Sequence, residues 1–377
     1  MDINMSYIEA TTGINWPVLI TNVSSQDGTA EWRNETVERR HVHGDICSEG
    51  LGFFRWFFYT WVVGPMTVFG LFGNCIAFVV LFRKYRFRSN GILLIALTIF
   101  DTVVLCLQAI THVWQVLQMC HHILVDHALY FHFYRYCYPL SYITRLSIMG
   151  ITMCLSWNRW VAICRPFTAK FRLTCFKSGM QILGVVVISV FFSLPRFYEL
   201  QLVNSMVILT TLVKNSVYNM AYRTISFSLL MYVIPVGYVV YTCIDICRSF
   251  ALARDYYSNL QYIGRDHSAD ILQATRITLA VCILALLCNG PALVSHVIWS
   301  LSHMTEGLAY LNAYLPYCVI VSNSLVAIGS ATNIVVYCWC SQGFRAAFGK
   351  ILEPLKKSTA PNNFTRQSTP LYQETQV

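Results

Sequence analysis

Asp101 and Arg145 each stand alone as the charged residue of a long apolar run, 91–111 and 136–158, and they mark where this chain can do chemistry. A charge in such a run costs about 2.5–3.5 kcal/mol on insertion scales, so it must turn toward other polar groups. Asn74, Ser330 and Asn333 are the candidate partners for Asp101. Arg145 reads in two ways. It is a pocket cation that holds an anionic ligand group or the carbonyl of a peptide C-terminal amide, or it pairs internally with backbone carbonyls or Glu199. Both are chemistries of binding and switching. The chain has no H-E-x-x-H, P-loop, G-x-S-x-G or G-x-G-x-x-G motif. An intramembrane enzyme would need paired acids or a metal cluster, and Asp101 is the sole deep acid. No enzymatic activity and no cofactor are expected.

The elements that must position these residues are apolar segments. Seven runs reach the roughly 20 residues that cross a bilayer: 56–82, 91–111, 136–158, 178–195, 224–244, 277–301 and 313–340. Hydrophobic residues make up 56% of the 377 and charged residues 12%, against about 25% charged in a soluble domain. That composition excludes a disordered chain, a coiled coil, a collagen-like repeat and a nucleic-acid-binding module. The expected fold is an all-α membrane protein, a seven-transmembrane helix bundle with a short amphipathic helix after the seventh span. Residues 1–55 lack the pattern of a signal peptide, so the first span is expected to act as an uncleaved anchor.

Seventeen of the 27 Lys and Arg fall on segments that lie on one side if the N-terminus is outside, against eight on the other. This is the positive-inside bias, and it places the N-terminus outside and the C-terminus inside. The formal charge of +9 is then mainly cytoplasmic and needs no acidic partner. Sequons at Asn4, Asn22 and Asn34 agree, since glycosylation is an outer-side modification. The organisation reads as a glycosylated tail (1–55), the bundle (56–340), a membrane-surface helix (341–355) with Phe344, Phe348, Ile351 and Leu352 at helical spacing, and a disordered tail (356–377). Among the 15 cysteines only Cys47, Cys120 and Cys137 lie on or near the outer aqueous side. An oxidising exterior allows one pair: Cys47 with Cys120 or with Cys137 would pin the tail over the pocket, or all three are free thiols. Cys338 and Cys340 are lipidation candidates. The end, with Thr375 and Val377, fits a PDZ ligand.

The motifs go further. Asn158-Arg159-Trp160 ends span three, with Pro166 seven residues after Arg159; Gly73-Asn74, Asp101, Pro291 and Asn333-Ile334-Val335-Val336-Tyr337 occupy the other spans. With these, residues 56–350 resemble the rhodopsin-like (class A) G-protein-coupled receptors. Tyr136-Cys137-Tyr138-Pro139-Leu140, Pro195-Arg196-Phe197-Tyr198-Glu199, Cys288-Asn289-Gly290-Pro291 and the span-seven motif without its usual Pro narrow the likeness to invertebrate FMRFamide-type neuropeptide receptors. The resemblance implies a plasma-membrane receptor that a peptide shifts toward a G-protein-binding state. Asp101, Asn158, Arg159, Trp160, Pro291, Asn333 and Tyr337 would form the switch, and Arg159 and Phe167 would meet the G protein. Hydroxyls of the last tail residues would be phosphorylated for desensitisation, with arrestin and a PDZ protein as further partners beside membrane lipids. No nucleic acid is expected.

The departures carry information. Asn158 replaces the usual acid, so a resting restraint is missing and basal activity is expected to rise. Ser141 replaces the Asp of amine receptors, which argues against an amine ligand. Ile148 removes one member of the family's sodium site. The loop 196–222 has no cysteine, so the family's usual disulfide cannot form. Ligand contacts are expected at Arg145, Glu199, Ser141, Tyr138, Trp299, Tyr314 and Tyr317, with Glu199 ranked first to receive the arginine of an RFamide-like peptide, ahead of Asp126 and Glu306. Two alternatives stand beside this: a constitutively active or lipid-activated receptor of the same fold, and a polytopic transporter, whose repeated halves are not visible here.

Overall fold

The computed structural model describes residues 50–121, 127–203, 206–215, 217–258, 265–304, 310 and 313–359. Among these, seven long helices form the bundle. α1 is Gly50–Tyr85. α2 is 89–121, α3 His127–Cys164, α4 Cys175–Ser193, α5 218–258, α6 Arg265–Met304 and α7 Leu315–Cys340. An eighth, α8, Gln342–Thr359, follows at once. Six of the seven are long and apolar enough to cross a membrane. α3 is long enough, at 38 residues, but is not among the six that are also apolar enough; Arg135, Arg145 and Arg159 stand along it.

The helices outrun the apolar windows that foretell them. α3 starts nine residues before 136 and ends six after 158, because turns beyond the hydrocarbon layer need hydrogen bonding but not apolarity. α8 likewise continues to Thr359, four residues into the stretch read as a disordered tail. Residues 360–377 lie outside the described set.

α3 is the central element, packed on α2, α4, α5 and α6, while α7 packs on α1, α2 and α6. The core at the Arg159 end joins Leu81 of α1, Leu93 and Leu97 of α2, Ile151 and Leu155 of α3 and Tyr337 of α7, with Phe344 of α8 closing it. Close approach of α1, α2 and α7 depends on small residues. A Cβ on Gly70 would come within 2.5 Å of the Leu105 Cδ1 and 2.7 Å of the Ala331 Cβ.

At the other end, α4 runs into a 3₁₀ turn, Leu194–Tyr198. An antiparallel hairpin follows, β1 (Leu200–Val203) and β2 (Met206–Leu209), with Leu200 opposite Leu209 and Val203 opposite Met206. Leu200 and Val207 are buried against Tyr130, Tyr134 and Tyr138 of α3. These tyrosines are spaced by four, so they line one helix face. Three helices also contain π turns: Phe58–Val63 in α1, Ala109–Val113 in α2, and Tyr218–Ser226 with Leu229–Val233 in α5.

Overpacking a close helix contact costs about 1–3 kcal/mol. Gly70→Leu is therefore expected to lower the melting temperature and surface expression of the chain. Gly184→Leu, where a Cβ meets nothing within 4 Å, is expected to leave both unchanged. Parallel melts of the two purified variants check this.

Candidate functional site

Glu199 sits at the junction of α4, the hairpin, α3 and α5, with a side chain 1% exposed. Its Oε1 lies 3.4 Å from the Arg196 Nη1 and 3.5 Å from the Arg223 Nε. The Tyr218 hydroxyl donates to Oε1 at 2.8 Å and the Tyr138 hydroxyl to Oε2 at 3.0 Å. Arg196 is in turn stacked, its Cζ 4.1 Å from the Tyr142 ring centre and 4.8 Å from that of Phe227. Burial alone would raise the Glu199 pKa. The two guanidiniums and two hydroxyls outweigh it and hold the carboxyl below its ordinary value. Glu199 is thus an internal counter-ion. The expectation that it receives a ligand's arginine is corrected by Arg196 and Arg223, which already satisfy it. Asp126 and Glu306, the other two acids considered, lie outside the described residues.

Below this knot, four helices meet at Asn323 of α7. Its Oδ1 accepts from the Arg145 Nη2 of α3 at 3.0 Å. Its Nδ2 donates to the Tyr59 hydroxyl of α1 at 3.4 Å, and its backbone carbonyl accepts from the Gln108 Nε2 of α2 at 3.2 Å. The His112 ring of α2 stacks on Tyr59 with centroids 4.8 Å apart and planes 12° apart. Tyr59 and His112 both lie in π turns, which recur at functional sites. His112, Tyr138, Ser141, Tyr142, Arg145 and Asn323 line a cavity of about 50 Å³. The His112 Nδ1 and the Arg145 Nε are buried without hydrogen-bond partners. Among the described residues neither of the two internal partners weighed for Arg145 is found; it meets a neutral amide instead.

Arg145 also borders a second cavity, of about 30 Å³, shared with Asp101, Ile148, Asn289, Ser330 and Asn333. The Asn333 Nδ2 donates to the Asp101 carboxylate and Ser330 hydrogen-bonds it as well. Asn74 reaches the Ser330 carbonyl at 3.2 Å rather than Asp101 itself. Among the described residues no group of three or more His, Cys, Asp or Glu could hold a metal ion.

At the Arg159 end, a cavity of about 80 Å³ is lined by Arg88, Arg159, Tyr85, Tyr337 and Phe344. Asn158 points away from it and donates to the Ser89 Oγ, the Ser178 Oγ and the Gln181 Oε1 at 3.3–3.5 Å, binding α3 to α2 and α4. The Trp160 indole donates to Asp245 of α5. Phe167, on the short loop helix Pro166–Arg172, is 93% exposed.

The remaining expectations scatter. Ser141 donates to its own helix at the Cys137 carbonyl while lining the cleft. Tyr317 packs edge-on to Phe54, with centroids 5.0 Å apart, and Tyr314 is exposed. Pro291 lies within α6. The side chain of Trp299 lies outside the described set, as do Asn4, Asn22, Asn34, Cys47, Thr375 and Val377. Cys120 is disulfide-bonded. Cys137 is free, which removes it from the pairings considered. Tyr59, Gln108, His112 and Asn323 were not expected; the signal was three uncharged polar groups within apolar runs and a histidine one residue past the end of another, four residues after Gln108 on α2.

No protein-family model matches the chain. It is 25% identical over 314 residues to the FMRFamide peptide receptor frpr-18 of Caenorhabditis elegans, an alignment covering 79% of this chain and 70% of that protein. Against the FMRFamide receptor of Drosophila melanogaster it is 23% identical over 311 residues, covering 76% and 53%. Against neuromedin-U receptor 2 of Rattus norvegicus it is 27% identical over 230 residues, covering 58% and 56%. The chain thus spans little more than half the length of the second and third. The likeness is to class A peptide G-protein-coupled receptors, on a helical membrane bundle.

Removing one partner of a buried ion cluster costs about 3–5 kcal/mol. Glu199→Ala is expected to lower the melting temperature well beyond Tyr218→Phe, which removes one hydrogen bond of about 1.5–3 kcal/mol. Because the folded pKa of Glu199 is depressed, its contribution is complete above the unfolded carboxylate value and lost as pH falls through the folded one. Melts across an acid series should show the wild type and Glu199→Ala converging only below the ordinary carboxylate range.

Proposed function

We propose that this chain is a plasma-membrane G-protein-coupled receptor, N-terminus outside and C-terminus inside, that an extracellular neuropeptide switches on. The carrying observation is the cleft at the hairpin end, walled by Tyr134, Tyr138 and Tyr142 and ending at Arg145 and Asn323, taken with the likeness to peptide receptors. A ligand entering beside the hairpin meets side chains of α1, α2, α3 and α7 through one hub, so binding there biases how four helices pack. Such a bias shifts a two-state equilibrium by its differential affinity for the two states. An RFamide-like peptide is the first class to test, since two of the relatives are named for FMRFamide.

At the opposite end, Arg159 and the exposed Phe167 serve as the G-protein contacts. Arrestin, a PDZ protein at Thr375–Val377, lipid contacts of α8 and glycans at Asn4, Asn22 and Asn34 complete the proposal. The second reading, a constitutively active or lipid-activated receptor, is favoured by the neutral Asn158.

Cells expressing the full chain are expected to activate G protein with an amidated peptide from an RFamide panel, and Arg145→Ala to lose at least tenfold in potency, about 1.4 kcal/mol. Silence of every peptide at good surface expression would sink the peptide reading. In the same assay without ligand, Asn158→Asp is expected to lower basal signalling; equal or higher basal output would remove the argument from the missing acid.

A further inference from the structure

We propose that the group a ligand places at the floor of the hairpin-end cleft is a carboxylate, held by Arg145 and the His112 ring across from Asn323. The proposal rests on reading that cleft as the ligand site and names the chemistry that the site selects; in an amidated peptide the carboxylate is that of an Asp or Glu side chain, the amidated end lying elsewhere.

The argument is one of unbalanced charge. Among the described residues the side-chain partner of the Arg145 guanidinium is the neutral amide of Asn323. Among the described residues no carboxylate forms a salt bridge with it. Glu199 is held by Arg196 and Arg223, and Asp101 takes its hydrogen bonds from the Asn333 side of the neighbouring cavity. A guanidinium in a low-dielectric bundle gains far more from an anion than it would in water. It matches a carboxylate in particular, since two oxygens fit the planar fork.

His112 is the second, independent observation. It is 8% exposed, lines the same cavity and has a buried Nδ1 with no partner. Its stacking on Tyr59 holds the ring in place. Buried polar atoms without partners are rare in folded proteins and call for an explanation. A carboxylate between Arg145 and His112, accepting from the ring's Nδ1–H, supplies one. The cavity of about 50 Å³ is several waters in size, on a scale of roughly 10–15 Å³ for one, and so admits a small planar group. A carboxamide would satisfy the hydrogen bonds but leave the charge of Arg145 uncompensated.

The test uses the full chain in lipid nanodiscs and two probes of the same shape, N-acetyl-phenylalanine and N-acetyl-phenylalaninamide, read by thermal shift over a millimolar titration. The acid is expected to bind about tenfold tighter than the amide. That preference should vanish in Arg145→Gln, shrink in His112→Asn and persist in part in Arg145→Lys, which keeps the charge without the fork. The unliganded melt shows whether each variant folds, and Arg145→Lys serves if Arg145→Gln does not. Equal or tighter binding of the amide, an acid preference unchanged in Arg145→Gln, or no binding of either probe overturns the proposal. So does acid binding that appears only in Asp101→Asn, which would make Asp101 the native counter-ion. Failure of the peptide reading is seen separately, as peptides that do not signal in cells while the acid probe still binds.

Discussion

A buried carboxylate flanked by two guanidiniums is stable only where the surrounding elements hold all three charges in register. Glu199, Arg196 and Arg223 impose that condition on the hairpin end of the bundle. Arg196 comes from the 3₁₀ turn after α4 and Glu199 from its C-terminal end, Arg223 from α5, and the hydroxyl that bonds both Arg196 and Glu199 from Tyr138 of α3. The backbone N–H and the hydroxyl of Thr210 close the hairpin onto the same point, at the Glu199 and Tyr198 carbonyls. No cysteine in 196–222 is present to fasten this loop to α3, and the polar knot with its tyrosine ladder performs that task. The cleft floor then follows, because Tyr138 and Tyr142 belong both to the knot and to the wall around Arg145.

The parts of this arrangement that could be read from the sequence share one physical basis. Crossing a hydrocarbon layer forces long apolar runs, so the spans could be read from their residues. A lone acid at depth forces a polar partner, so Asn333 and Ser330 could be named for Asp101. The helix ends could not be read, since α3 extends through tyrosines and an arginine where apolarity no longer applies. The fate of Glu199 could not be read either. Arg196 and Arg223 lie 27 residues apart in the chain and look like solvated loop charges until a 3₁₀ turn and a π turn aim them at one point. Asn323 and His112 were hidden for another reason: Ser, Thr and Asn in such helices often bond their own backbone, as Asn289 does to Ala285, and sequence does not separate those from the ones that reach across.

The two ends solve opposite problems. At the hairpin end charge is concentrated, with two guanidiniums sharing one carboxylate. At the Arg159 end the position beside the arginine has given up its charge, and the Asn158 amide ties α3 to α2 and α4 instead of restraining its neighbour. Between them Arg145 borders both the ligand-side cavity and the one around Asp101. A group that draws Arg145 upward changes the lining of the lower cavity as well. The one side chain is therefore placed to report events in the cleft to the polar pair at the middle of the bundle.

The π turns have an effect on how the halves of this molecule are phased. A π turn is an α-helix that has absorbed one extra residue, and one residue is worth about 100° of helical rotation. In α1, α2 and α5 the residues on the hairpin side of each turn are thus set around the helix axis independently of those on the other side. Faces that pack the membrane-embedded core can stay in place while the faces that meet a ligand are dialled by insertion or deletion of a single codon. Length changes that would scramble an uninterrupted helix become, at Phe58–Val63, Ala109–Val113 and Tyr218–Ser226, a means of re-cutting the cleft without rebuilding the bundle beneath it.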